Sequence, residues 1–305
     1  MRILKTILLG GAAAVLVLTI MTAVTIGPSL YRVLIGMDRY EIVPPILPDR
    51  LSPIAVLIFS KTNGFRDDEA IEAATTALIG ISKRRGWSAV VTDNAAVFNP
   101  EQLRRFRAII WNNTSGDVLT TAQRASFKAY MESGGGFVGV HGAGGDPKYQ
   151  WRWYVDRLIG AQFIGHPIGP QFQQATMHIE DSTNPATRTL GETWIRTDEW
   201  YSFATNPRGK GMHILATVDE NTYSPVMSLP LMHKNLRMGD HPVVWIHCLG
   251  DGRAFYSAIG HAASTYSEPK HIQLLEGGIA WAAGLEGTHC QNGVESAATA
   301  NYIAQ

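Results

Sequence analysis

The apolar positions of this chain fall into two kinds of run. From Thr6 to Tyr31 no charged residue occurs, and Ile7–Ile26 is predominantly apolar. A bilayer span takes about 20 such residues, whereas the apolar core of a cleaved signal takes about 7–15. The pattern therefore predicts an uncleaved anchor over residues 1–31, with a cleaved signal as the alternative. Arg2 and Lys5 precede the run and place the body outside the cytoplasm, anchored in an inner membrane or released to a periplasm. Four prolines follow between Pro44 and Pro53, so residues 32–53 read as a stiff, extended tether.

The second kind of run is shorter and repeats. Ile54–Ser60, Ser88–Thr92, Ala108–Trp111 and Phe137–Val140 are apolar stretches of strand length. Between them lie helical patterns with recognisable ends. Asp67 or Asp68 caps a helix carrying Ile71, Ala74, Leu78 and Ile81, which Gly86 stops. Asn99-Pro100 starts a second helix, and Thr120-x-x-Gln123 is a capping box. Four βα units in succession predict an α/β fold with a doubly wound, mostly parallel sheet. Beyond residue 170 the pattern is less regular. Ala175–Glu180, His213–Val218, Val243–Leu249 and Arg253–Ile259 read as extra strands, and His271–Ala283 as a closing helix. The folded body is thus residues 54–286, and 287–305, small and polar, reads as a loose tail.

Charge and cysteine content narrow the function. Basic and acidic residues number 26 each, so nothing points to nucleic acid. Two cysteines exclude a cysteine-rich metal knuckle. Cys248 shares a phase with Val244 and Ile246 and reads as a core residue, with a bridge to Cys290 as the alternative outside the cytoplasm.

In a doubly wound sheet, ligands lie beyond the carboxyl ends of the strands. Lys61, Arg66 and Asp67 follow the first strand, Asn112 the third, and His141 to Asp146 the fourth. Lys61 and Arg66 would orient polar groups of a substrate; the plain alternative pairs them with nearby aspartates. Gly139-Val140-His141-Gly142-Ala143 has the form of a strand-to-helix elbow with histidine at its tip. A histidine there serves as base or metal ligand, not as a lasting nucleophile. Glu199-Trp200-Tyr201 sets a carboxylate among aromatic rings, a combination that suits a carbohydrate. His166 and His261 stand at segment ends, so His141, His166 and His261 are candidate ligands for a divalent metal. His141, His166, Glu199 and His261 are expected to converge on one cleft. The histidines at 178, 213, 233, 271 and 289 read as structural or surface residues.

Six stretches together resemble the trehalose-utilisation (ThuA-like) family. They are FSKTNGFRDDEAI (59–71), GGGFVGVHGAGG (134–145), WYVDRLIGAQFIGHP (153–167), DEWYSF (198–203), HPVVWIHCLGDGRAFYSAIGH (241–261) and LLEGGIAWAAG (274–284). The resemblance implies a fold similar to class I glutamine amidotransferase domains. It also places His141 at the nucleophile position of those enzymes, which argues against glutaminase activity. The family's first motif commonly has histidine where this chain has Asp67. The resemblance implies sugar or keto-sugar metabolism. The expected function is therefore an extracytoplasmic protein acting on a carbohydrate by hydrolysis, elimination or isomerisation, with a divalent metal as the candidate cofactor. In that reading His141, Glu199 and His261 are catalytic, and Lys61, Arg66, Asp67, Asn112, Asp146, Tyr201 and Arg253 bind substrate. The alternative is a non-catalytic carbohydrate-binding module on the same fold.

Overall fold

A computed structural model describes residues 39–230 and 232–288, together with Leu16, Val17, Thr19, Met21 and Cys290. Most of the predicted anchor and most of the tail thus lie outside the described residues. Among the described residues no helix is long and apolar enough to cross a membrane.

A nine-stranded sheet forms the centre, in the order β2-β1-β3-β4-β13-β12-β9-β6-β7. The strands β1 (Ala55–Phe59), β2 (Ser88–Thr92), β3 (Ala108–Asn112) and β4 (Gly136–Val140) match the predicted apolar runs. They pair in parallel, and β13 (Gly252–Ser257) joins β4 in the same sense. Every residue of β1, β3, β4 and β13 is buried, as continuous apolar strands covered on both faces require. Beyond β13 the sheet turns antiparallel through β12 (Pro242–Leu249), β9 (His213–Val218), β6 (Gln173–Ile179) and β7 (Thr193–Asp198). Two small ribbons pair β5 (Phe163–Gly165) with β8 (Ser202–Phe203) and β10 (Val226–Leu229) with β11 (Met232–Asn235).

The helices begin where the sequence placed their caps. Helix α1 (Asp68–Arg85) is capped by Asp67, whose side chain accepts from Ala70 N at 3.0 Å, and ends on left-handed Gly86. The short α2 (Pro100–Leu103) starts on Asn99. Both halves of the Thr120/Gln123 capping box are formed at α3 (Thr121–Glu132). The closing helix α4 (Pro269–Ala282) packs on β4 and β13.

The proline-rich segment is extended as expected, but it is fastened to the body. Gln123 Nε2 donates to Glu41 O, Asn94 Nδ2 to Val43 O and Gln102 Nε2 to Pro45 O, at 2.7–3.1 Å. Cys248 is not in the core: it is exposed and bridged to Cys290 across a Cα–Cα distance of 5.8 Å. The phase argument fails there because both faces of β12 are covered in its middle, while its last turns outrun the cover. The bridge also ties the first residues of the predicted loose tail to β12.

Candidate active site

The site lies at the carboxyl ends of β4 and β13, where the parallel sheet meets the antiparallel extension. His141 directly follows β4 and lies in the left-handed region, at φ 42°. That conformation is costly for a residue with a Cβ and persists only where surroundings hold it. Here Tyr256 donates to His141 O at 2.9 Å, and Gly142 N donates to Asn113 Oδ1 at 3.2 Å. His141 Nδ1 lies 2.7 Å from Ala258 O. A carbonyl only accepts, so Nδ1 carries the proton and Nε2 turns a lone pair inward.

Glu199 and His261 meet that lone pair. His141 Nε2 is 3.2 Å from His261 Nδ1 and 3.4 Å from Glu199 Oε2, and the last two are 3.2 Å apart. Buried Asp198 sets both partners by accepting from the backbone N–H of Glu199 (2.8 Å), Gly260 (3.1 Å) and His261 (3.3 Å). Its charge is matched by Arg196 Nη2 at 2.9 Å. The second oxygen of Glu199 accepts from Gln171 Nε2 and lies 3.1 Å from His166 Nδ1, which also contacts Pro167 O at 3.0 Å. On the far side of His261, Nε2 faces Asp67 Oδ2 at 3.7 Å, a charge contact rather than a hydrogen bond.

The electrostatics follow from this closeness. Burial pushes the Glu199 carboxyl up, but the facing imidazoles of His141 and His261 outweigh it and hold the group well below the usual carboxylate range. Burial lowers His261, yet Glu199, Asp67 and Asp198 together raise it above the ordinary imidazole value.

Three donor atoms this close need a cation between them, either a proton or a metal. Zinc bonds of about 2.0–2.1 Å in a regular tetrahedron put ligand atoms about 3.3–3.4 Å apart. The three separations here are 3.2, 3.2 and 3.4 Å. Two imidazoles and a carboxylate suit a borderline divalent transition ion, with the fourth position open. The surroundings also fit: His141 Nδ1–H donates to a carbonyl and His261 backs onto a carboxylate, the usual outer support of metal-binding histidines.

The sequence profile of the ThuA family, described as trehalose utilisation, matches residues 55–282. The chain belongs to the ThuA family. Its fold is similar to that of a ThuA-like protein from Bacteroides uniformis, with 26 % identity and a TM-score of 0.61, over 79 % of this chain and 95 % of that one. A ThuA-like protein from Parabacteroides merdae matches with 17 % identity and a TM-score of 0.53, over 79 % of this chain and 93 % of that one. No curated protein matches the chain in sequence.

Within this ThuA-family body the predicted residues divide. His141, Glu199 and His261 come together, and His166 stands one contact out, bracing Glu199 rather than joining the donor set. Asp67 uses one oxygen as the helix cap and turns the other to His261. Tyr201 is buried with its ring 4.1 Å from that of His141, so it walls the site from beneath. Asp146 accepts from Lys148 N at 2.7 Å and packs on Gly64, away from the three donors. Burial raises its carboxyl.

Four predicted substrate contacts have other partners. Lys61 is buried and pairs with Glu41 at 2.6 Å, drawn toward the loop after β2. Arg66 pairs with Asp68 at 2.6 Å. Asn112 is fully buried and donates to Ile71 O and Thr75 Oγ1, locking α1 to β3. Arg253 is the second residue of β13, opposite Gly136 at the amino end of the parallel sheet, and donates to Trp281 O at 2.9 Å. It sits at the wrong end of its strand because β13 runs parallel to β4.

The ThuA site also uses residues that the sequence did not single out. Asp198 lay inside the quoted DEWYSF motif, and Asn113 followed a predicted strand, so both carried a signal. Gln171 and Phe172 belong to an unpatterned loop and carried none.

Proposed function

We propose that this ThuA-family protein acts on a carbohydrate or keto-sugar by hydrolysis, elimination or isomerisation, with a divalent metal held by His141, Glu199 and His261. The convergence of those three donors at tetrahedral spacing carries the reading. When bound, such an ion polarises a sugar carbonyl or hydroxyl oxygen. His141 keeps its Nδ1 proton on Ala258 O, so its inward nitrogen stays available. Asp67, at 3.7 Å from His261 Nε2, favours a proton at that atom and fixes the ring with Nδ1 inward. Phe65 and Phe172 flank His261, with ring centroids at 6.4 and 5.2 Å, and give a sugar ring apolar faces to lie on.

The proposed location is outside the cytoplasm, behind the N-terminal apolar run. The Cys248–Cys290 bridge supports it, because disulfides persist in oxidising compartments. A second reading, a carbohydrate-binding module without turnover, draws on Asp67, which serves as a helix cap where the resemblance expects histidine.

A panel of glucosides, trehalose and their keto derivatives, assayed with the full chain before and after chelation, separates the two. Turnover abolished by chelation and restored by zinc or manganese supports the metal reading. Binding of sugar without turnover under every metal supports the module.

A further inference from the structure

A cavity lies beside the three donors, not over them. It has a volume of about 400 Å³ and is lined by Phe172, Ile195, Arg196, Thr197, Ser264 and Glu268, with Ala262 at its edge. That volume is within the range of about 300–1,000 Å³ usual for small-molecule sites. Its lining joins the reactive cluster at two points. Ala262 follows His261 in the chain, and the Phe172 ring stands 5.2 Å from the His261 ring.

The lining has two kinds of surface. Phe172 and Ile195 are large apolar side chains left exposed, by 42 % and 63 %. Ile195 points outward from edge strand β7 because its neighbours Trp194 and Arg196 occupy the inner face. Beside this apolar surface the lining carries hydroxyls from Thr197 and Ser264, the Glu268 carboxylate and the Arg196 guanidinium. Arg196 uses Nη2 for Asp198, Thr265 and Glu268, while its Nε and Nη1 have no hydrogen-bond acceptor. Its charge is balanced by Asp198 and Glu268, so the cavity does not favour an anion.

We infer that this cavity is a saccharide subsite, holding one pyranose ring of the substrate while the adjoining part of the molecule reaches the His141–Glu199–His261 cluster. A pyranose has the matching division: C–H faces that pack on Phe172 and Ile195, and an equatorial rim of hydroxyls that both accept and donate. Glu268 accepts from that rim, and Thr197 and Ser264 supply donors. An apolar or a purely charged ligand would leave one of the two surfaces unmatched. The inference rests on the carbohydrate reading above and deepens it.

The test is calorimetric titration of trehalose and of glucose into the metal-loaded full chain. At least one sugar is expected to bind, and Phe172→Ala and Glu268→Gln are each expected to weaken it about tenfold or more with metal content and melting temperature unchanged. Ser264→Trp, which fills the cavity, is expected to abolish binding. Failure of both sugars to bind the metal-loaded chain, or binding unchanged in all three variants, overturns the subsite. Binding that survives in metal-free His141→Ala, yet is lost in Ser264→Trp, upholds the subsite and counts only against the metal reading.

Discussion

In the first half of the body, residues 55–141, strands and helices alternate regularly, and the loops after β1 and β3 use their polar side chains for packing. Lys61 is tied to Glu41, Arg66 to Asp68, and Asn112 to the backbone and hydroxyl of α1. In the second half the strands are short, partly antiparallel and joined by long loops. It nevertheless supplies Glu199, His261, His166, Gln171 and the whole lining of the adjoining cavity. The halves meet at His141, the one donor from the regular half, whose strained backbone is held by residues of both. The regular half is a scaffold that presents a single lone pair. The irregular half brings the remaining chemistry to it, because its loops are free of the repeat that dictates the positions of the βα turns.

Substitutions at matched sites sharpen this contrast. The largest effect is expected in the second half, at Asp198→Ala. It leaves the Arg196 guanidinium buried with only Glu268 at 3.5 Å for a counter-charge. Removing one partner of a buried pair costs about 3–5 kcal/mol, so urea unfolding should show a loss of that size. Glu199→Ala removes a donor itself, and metal affinity by competitive chelation should fall more than about a hundredfold, beyond the range typical of outer-shell changes. In the first half, Asn113→Ala strips the acceptor from Gly142 N, and a stability loss of about 1–3 kcal/mol is expected in thermal melts. Arg66→Ala removes a solvent-facing pair and two long hydrogen bonds of 3.4 Å to Ser60 O and Thr62 Oγ1, and both stability and metal affinity should stay within about 1 kcal/mol of wild type. An Arg66 variant as impaired as Glu199→Ala would erase the distinction between the halves.

Acid should act through the cluster as well. In the metal-free chain His261 holds its proton above the ordinary value of about 6.5, so metal and proton compete for Nδ1 and its neighbours. Metal binding is therefore expected to release a proton at neutral pH and to weaken as pH falls. Calorimetry in two buffers of different ionisation enthalpy measures that release, and an affinity independent of pH between 6 and 8 would count against the assignment.

The legibility of the sequence followed the same division. The caps at Asp67, Asn99 and Thr120 were readable because a cap is a local matter of side chain to backbone within three residues. His141 was readable because the glycines around it mark a tight turn. Lys61 was misleading because its partner is 20 residues upstream, in a segment that reads as a free tether. Arg253 was misleading because the direction of β13 depends on its pairing with β4, which no local pattern reveals. The donor role of Glu199 beside His141 was foreseen only as a convergence. The bracing by Gln171 and Asp198 depends on a loop path and on the end of β7, both set by tertiary contacts.

The central claim is that His141, Glu199 and His261 form one metal site built from both halves. Its most direct test is titration of zinc into the chelator-treated full chain, followed for wild type, His141→Ala and His261→Ala. One ion per chain is expected in the wild type, with affinity lost in both variants although one comes from each half. No zinc uptake by the folded wild type, or uptake unaffected by either substitution, would contradict the account.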